Sequence, residues 1–129
     1  MQLDTITLPD DLLWINEFDW NPVEQSTERT LTGALLVQEQ SLKFGRPIEL
    51  SGGAEAGWVS RSTVVNLLAL SQIANKVMTL TLPDLRTYSV IFDRQSGKPV
   101  EAQQVIPFAY PDDDHHYSLT IRLLTVATA

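Results

Sequence analysis

The chain has 129 residues, of which 43% are hydrophobic and 19% are charged. This length is typical of one domain and is sufficient to bury a core without metals or disulfides. The absence of cysteine excludes disulfide scaffolds, thiolate metal sites and thiol nucleophiles. The formal net charge of −7 and the scattered positions of the nine basic residues argue against stable nucleic-acid binding, which needs clustered Lys and Arg.

The first residues lack the basic region and apolar run of a signal peptide. No apolar stretch reaches the length needed to cross a bilayer. We therefore expect a protein made in the cytosol that does not insert directly into membranes, folded as a single domain over residues 1–129.

The N-terminal part predicts a short strand at residues 3–8. Residues 12–22 follow and contain Trp14 and Trp20, two of the three tryptophans. We interpret this segment as a strand or extended loop whose aromatic side chains cap the core. A partner-contact surface is the alternative, because tryptophan is enriched among interface anchors, and a sugar-stacking platform is a third reading.

The next segments predict a loop followed by a strand. Residues 23–30 are polar and are predicted to be a loop. Residues 30–37 alternate, with apolar residues on both faces, which predicts a central strand. Gly33 inside it indicates a bulge or a close backbone approach. Residues 38–41 then predict a turn.

A second strand is predicted over residues 42–50. It should be kinked before Pro47, since proline cannot donate a hydrogen bond to a strand ladder. Small residues at positions 51–57 predict a loop.

The one clear helix is predicted around residues 61–75. Ser60 or Ser62 is expected to act as the N-cap through its hydroxyl, and Asn75 is expected to end the helix. The apolar residues spread around much of the helix circumference; they are Val64, Val65, Leu67, Leu68, Leu70 and Ile73. A helix that is apolar on more than one side is deeply buried or has two partners. We expect this one to contact both the sheet and a second subunit.

The strongest strand signals follow the helix. Residues 77–82 and 88–92 alternate around a turn at 83–86, which predicts a β-hairpin. Residues 100–106 predict a more polar strand, and residues 117–123 alternate strictly as a last strand.

These segments predict roughly six to eight strands and one helix. The pattern favours a mainly β fold with one helix (α+β), built as an antiparallel β-sandwich or small barrel with a flanking helix around residues 61–75. A doubly wound α/β fold is excluded because the alternating helices that it needs are missing.

Residues 112–116, DDDHH, are the densest set of potential metal ligands. Adjacent residues on an extended chain point to opposite sides, so all five cannot converge on one ion. We expect a solvated acidic turn, with no metal and no cofactor. A metal-assisted enzyme using His115 and His116 is the competing hypothesis. The sequence has no nucleophile motif and no glycine-rich phosphate loop.

Several motifs together resemble a known family. They are LTGAL at 31–35, GRPIEL at 45–50, GWV at 57–59 before the helix, MTLTL at 78–82, YSVIF at 88–92 and YSLTIRL at 117–123. This pattern is similar to small structural proteins from the tail tip of long-tailed bacteriophages and Mu-like prophages, notably distal tail proteins. The similarity covers most of the chain from about residue 30 onward.

The resemblance implies a tail-tube-like β-sandwich with a flanking helix and no catalysis. It implies a ring, commonly a homohexamer, that joins the tail tube to the baseplate hub in the virion after synthesis in the host cytoplasm. The implied partners are other copies of the chain and other tail tube and baseplate proteins. DNA would pass through the lumen without stable binding, and an acidic wall would repel its phosphates. The turn at 83–86 departs from the Asp-Gly common in the family.

Contacts with other subunits or partners are expected at a small set of residues: Trp14, Trp20, Arg46, Trp58, Leu67 and Leu70. The alternative function is a small β-sandwich module that binds a carbohydrate or protein ligand. In that case Trp14, Trp20 and Trp58 would be stacking platforms.

Overall fold

The computed structural model describes residues 1–52, 57–95, 97–107, 109, 112 and 114–127. Its elements in chain order are β1 Gln2–Leu3, β2 Ile6–Thr7, β3 Leu13–Trp14, β4 Val23–Arg29, β5 Leu35–Ser41, β6 Pro47–Ser51, β7 Val59–Ser60, α1 Arg61–Ser71, β8 Met78–Thr81, β9 Thr87–Phe92, β10 Val100–Gln104 and β11 His116–Thr125. The fold is mainly β with one described helix, and all described strand pairs are antiparallel, which confirms the predicted class.

The long strand β11 is the centre of the main sheet. Along one edge it pairs first with β10 and then with β9; along the other it pairs with β7 and then β6. Its side chains alternate as the sequence predicts: Tyr117, Leu119, Ile121 and Leu123 are buried, and the residues between them are partly exposed. One face of β11 therefore contributes to the core along its whole length.

The sheet continues from β9 through β8 and β1 to β2, and from β6 to β3. Its end strands β2 and β3 do not pair with each other among the described residues. The sheet is therefore open, and the small barrel offered as an alternative is not formed. The largest fully buried side chains include Leu3, Ile48, Leu50, Leu80 and Ile121.

Helix α1 packs on this core through one face and contacts β2, β7, β10 and β11. Leu67 is fully buried and Val64 is nearly so. The opposite side is open to solvent in the single chain, with Val65 50% and Leu68 44% exposed. The sheet therefore covers one side of the helix as expected, and the expected contact of its other side with a second subunit stays a prediction.

The helix ends earlier than predicted. It stops at Ser71, where the backbone amide of Gln72 turns back to the Ala69 carbonyl, 3.3 Å away. The guanidinium of Arg94 donates to the Ser71 carbonyl, which satisfies one of the carbonyls left free at a helix end. Asn75 lies beyond the helix with a left-handed φ of 59°. Among the described residues, no helix has the length and apolar character needed to span a membrane.

Ser60 is the N-cap residue, but its hydroxyl makes no capping bond to the backbone. It contacts the hydroxyls of Ser62 at 3.0 Å and Thr63 at 3.2 Å instead. The predicted position is confirmed, whereas the predicted hydroxyl-to-amide bond is wrong because neighbouring hydroxyls compete for the same group.

The predicted hairpin at 77–92 is confirmed as β8 and β9, which pair from Met78↔Val90 to Thr81↔Thr87. At its turn, Leu85 has a φ of 70° and donates its amide to the Leu82 carbonyl at 2.9 Å. A leucine therefore occupies a left-handed position that usually favours glycine. Leu85 here adopts the left-handed conformation that the glycine of an Asp-Gly turn would otherwise adopt.

The largest error of the sequence reading concerns residues 23–41, which we call the arm. Residues 23–30, predicted to be a loop, contain β4, and the predicted central strand at 30–37 and turn at 38–41 are replaced by β5. Within the described residues the two strands pair only with each other, as a sheet separate from the main one, and every residue in both is exposed. Gly33 is not a bulge in a central strand; it lies in the tip that joins them.

The short strand predicted at residues 3–8 is instead a tight hairpin of two two-residue strands, β1 and β2, which pair with each other. The remaining boundaries differ by a few residues. The strand predicted at 42–50 is Pro47–Ser51, because Gly45 has a φ of 87° and the chain bends before Pro47. In the predicted 51–57 loop, residues 53–56 lie outside the described residues. So do Ser96 in the turn before β10, and Pro111 and Asp113 in the loop before β11.

Candidate functional site

Trp14, one of the predicted contact residues, has two arginines close to its ring. The guanidinium carbon of Arg46 is 4.5 Å from the Trp14 ring centroid and that of Arg86 is 5.6 Å from it. Tyr88 meets the same ring edge-on, with centroids 5.6 Å apart. Such cation–ring and ring–ring contacts are each favourable. The structure thus brings together two of the predicted residues, Trp14 and Arg46.

Arg46 is fixed by both its backbone and its side chain. Its amide donates to the Thr125 hydroxyl at 2.8 Å and its carbonyl accepts from the Thr125 amide at 3.0 Å. Its guanidinium donates to the Glu17 carbonyl. The Nε atom of Arg46 and the indole nitrogen of Trp14 are buried without a hydrogen-bond partner among the described residues. The negative face of the ring therefore compensates part of the buried charge of Arg46.

Trp20 lies beside this cluster, in a cavity of about 570 Å³ that Arg46 also lines. Lys43, Phe44 and Tyr88 contribute further to its wall. The cavity combines two cations with aromatic rings, in a chain whose net charge is −7. Its chemistry suits an anionic group better than a neutral one.

The other three predicted contact residues lie elsewhere. Trp58 is 41% exposed and its ring lies 6.1 Å from that of His116. Leu70 is partly buried against the core. Leu67 is fully buried within the single chain, so it cannot contact a partner without unfolding; Leu68, its neighbour, is the exposed one.

The loop before β11 shows no converging metal ligands in its described part. The His115 ring nitrogen Nε2 lies 2.6 Å from the Ile106 carbonyl, and the His115 ring meets that of Tyr117 edge-on. In the part of the chain that the structure describes, no three His, Asp or Glu side chains group as a metal site would require.

The arm has two different faces. Directly opposed residues of an antiparallel pair share a face, and the register Thr27↔Val37 and Arg29↔Leu35 assigns them. One face contains Val23, Thr27, Leu35 and Val37, together with Arg29, Ser41 and the Gln25–Glu39 pair, whose side chains are 2.7 Å apart. The other face is mainly polar and acidic. Three of the four large apolar residues of the ribbon therefore lie on one face, among polar neighbours, and no described residue covers either face.

The tip of the arm is well defined by local bonds. Gly33, with a φ of 84°, donates its amide to the Thr30 carbonyl at 3.0 Å. The Thr30 amide donates to the Ala34 carbonyl at 2.8 Å, and the Arg29 guanidinium to the Gly33 carbonyl at 3.2 Å. The bond from Gly33 to Thr30 closes a four-residue turn that ends at a left-handed glycine. It presents Leu31 fully to solvent.

A groove of about 670 Å³ lies between α1 and β10. It is lined by Arg61, Val64, Val65, Leu68, Lys98, Val100, Glu101, Ala102, Gln103, Tyr117, Ser118 and Thr120. The exposed apolar side of the helix thus borders an outer strand of the sheet. Sequence reasoning did not single out Val65 or Leu68, because a helix apolar all round gives no period from which to choose its open side.

Three ionisable groups are perturbed by local bonds. The amide and guanidinium of Arg86 lower the pKa of Asp84, and bonds to Glu17 at 2.9 Å and to Asp84 at 2.6 Å raise the pKa of Arg86. The pKa of Tyr117 is lowered because its phenol oxygen accepts from Gln104 at 3.2 Å and from Arg61 at 2.9 Å. Asp84 and Arg86 form an exposed pair, whereas the Tyr117 oxygen is bonded at the edge of the core.

Comparison of the chain with family models, with curated proteins and with solved structures gives no match.

Proposed function

We propose that this protein is a non-enzymatic structural component of the tail tip of a long-tailed bacteriophage. In this role it forms a ring, as a distal tail protein does, between the tail tube and the baseplate hub. This role is inferred from the resemblance of the sequence to distal tail proteins. The observation that carries the proposal is the arm, a fully exposed ribbon for which one copy offers no partner.

A two-stranded hairpin alone in water is marginally stable. The arm nevertheless has a well-bonded tip and seven cross-strand pairs. Its strands also expose apolar residues, with Leu35 50%, Leu36 54% and Val37 48% accessible. Both of its edges and its apolar face are available for contact with another chain. A closed ring of identical chains supplies such a contact to every copy.

The negative net charge of the chain is consistent with a ring through whose channel DNA passes. Each copy carries −7 formal charges, so a ring of six would carry −42. Like charge keeps phosphates from adhering to such a wall.

The test compares the full chain with a variant in which residues 24–40 are replaced by a short Gly-Ser turn. Light scattering after size exclusion measures mass, and negative-stain imaging shows ring shape, both with and without co-expressed tail tube and baseplate proteins. We expect rings from the full chain and folded monomers from the shortened one. A full chain that stays monomeric beside its tail neighbours would refute the proposal.

The cavity that contains Trp20 favours a second candidate, a small module that binds an anionic carbohydrate or protein ligand. Lys43 and Arg46 would pair with acidic groups, and Trp20 would stack on a sugar ring. Titration with a panel of acidic glycans, followed by tryptophan fluorescence, tests it. Saturable quenching that is lost in Trp20→Ala would support the module; unchanged fluorescence across the panel would exclude that role.

A further inference from the structure

We infer that the arm of one copy docks in the groove between α1 and β10 of a second copy. This inference rests on the proposed function, since it names the contact through which the ring would form. Four features of the described residues carry it: a free strand edge, matching lengths, matching apolar surfaces and opposite charge.

The first feature is the outer edge of β10. Among the described residues β10 pairs only with β11. The Val105 amide donates to the His116 carbonyl at 3.1 Å, and backbone groups alternate in direction along a strand. The amide and carbonyl of Ala102 therefore point away from β11. A strand from another chain can add to such an edge by backbone hydrogen bonds.

The second feature is length. The other strands with an open side in the main sheet, β2, β3 and β7, have two residues each, whereas β10 has five. Each strand of the arm has seven residues. Among the strands of the described residues, only β10 therefore offers an edge along which most of an arm strand can pair.

The third feature is the apolar surface on each side of the contact. Val65 and Leu68 stand exposed on the helical wall of the groove. The arm carries Leu35 and Val37 on one face. Burial of apolar area of this kind contributes roughly 25 cal/mol per Å². Contact between the groove and the arm would therefore remove apolar area of both from water.

The fourth feature is charge. The arm contains Glu24, Glu28 and Glu39 against Arg29, a net −2. Glu24 and Glu28 lie on the face opposite Leu35 and Val37, so this charge acts on the approach of the arm and not inside the apolar contact. The groove contains Arg61 and Lys98 against Glu101, a net +1 in a chain of −7.

Glu101 is moreover already paired, with its carboxylate 3.1 Å from the Arg122 guanidinium. Complementary charge steers association and fixes register.

The cavity containing Trp20 is the strongest competing dock, since Lys43 and Arg46 make it cationic. Its floor, however, is β9, which pairs with β8 on one side and with β11 on the other. The Val126 amide further donates to the Ser89 carbonyl at 2.9 Å. This cavity therefore offers the arm no long free edge.

Engineered cysteines test the contact, and the natural chain contains none that could interfere. The variant Leu35→Cys with Ala102→Cys places one thiol on the arm and one on β10. We expect oxidation to give dimers and higher multiples on a non-reducing gel. Each single-cysteine variant is a control for random pairing. Leu35→Cys with Thr87→Cys is the matched control for the competing cavity.

The outcomes separate the two proposals. Rings without cross-links between positions 35 and 102, or with stronger cross-links between 35 and 87, would overturn the docking site but leave the ring intact. A wild-type chain that forms no rings beside its tail neighbours would overturn both.

A second pair of variants tests the groove without cysteines. Leu68→Asp puts a charge on the groove wall, and we expect self-association to weaken roughly tenfold or more, with the thermal midpoint nearly unchanged. Ile73→Asp is the control, because Ile73 is 49% exposed but lies outside the groove. Equal effects of the two substitutions would overturn the docking site.

Discussion

The guanidinium carbon of Arg46 lies 4.5 Å from the centroid of the Trp14 ring. Trp14 lies on β3, opposite Leu50 of β6, and Arg46 directly precedes β6 in the chain. The pairing of β3 with β6 therefore brings the two side chains together. The contact ties the N-terminal part of the chain to the main sheet just after the arm returns to it. The base of the arm is therefore held by a packed cluster, although the arm itself is not packed.

Arg46→Ala should lower the free energy of unfolding by about 1–3 kcal/mol, because it removes the ring contact and a charge-assisted bond. Arg46→Lys should restore only part of this, since ammonium lacks the planar stacking surface. Urea denaturation measures both. Lys43→Ala, an exposed neighbour, should stay within about 0.5 kcal/mol. Equal losses at positions 43 and 46 would show that the cluster contributes nothing.

Gly57→Ala should be severely destabilising. Gly57 has a φ of 69°, and an added Cβ would come within 2.7 Å of Leu12 Cδ2 and 3.1 Å of Gly52 Cα. Backbone strain costs about 1–2 kcal/mol, and the clash adds to it. Gly33→Ala is the control, since its φ is 84° and no atom lies within 4 Å. The Gly57 variant should melt well below the Gly33 variant; similar thermal midpoints would contradict this account.

Leu67→Ala should cost about 2–5 kcal/mol, because it empties a fully buried site in the core. Leu68→Ala, one position on, should cost the monomer less than about 1 kcal/mol, since that side chain is 44% exposed. Denaturation of dilute, monomeric samples measures the difference. Comparable losses would mean that the helix faces the sheet through another side.

Tyr117 should ionise below the ordinary tyrosine range, because Gln104 and Arg61 donate to its oxygen. Its pKa is lower folded than unfolded, so the folded chain binds fewer protons just below the unfolded value of about 10. Unfolding free energy should therefore rise with pH through that window, and the contribution should be lost as pH falls through the folded pKa.

Phenolate absorbance checks this assignment. Tyr117→Phe should remove the earliest step of the titration, and Gln104→Ala should move that step to higher pH. A titration of wild type that the Tyr117→Phe substitution leaves unchanged would contradict the assignment.

Alternation explains which parts of the fold the sequence predicted well. β11 and the β8–β9 hairpin have one buried face each, so their apolar residues recur at every second position. The arm has no buried face in one copy. Its apolar residues were therefore assigned to a central strand. Gly33 was the signal that could have located the tip of the arm, because glycine favours the left-handed conformation of such a turn.

The contact residues were less predictable, because the sequence pattern of this helix does not show which of its apolar side chains remain exposed to solvent after folding. Leu67 and Leu68 are chemically identical neighbours about 100° apart on a helix, and only packing distinguishes them. Trp14 and Arg46 were named separately. Their contact depends on the pairing of β3 with β6, which is two residues long and leaves little trace in the sequence.

The central position of β11 has a consequence for synthesis on the ribosome. Strands β6, β7, β9 and β10 all precede it in the chain and all pair with it. A nascent chain that has emerged only to Gln104 would hold these four strands without the one that joins them. Its apolar faces would stay accessible until translation delivers β11, and chaperone binding should peak in that interval.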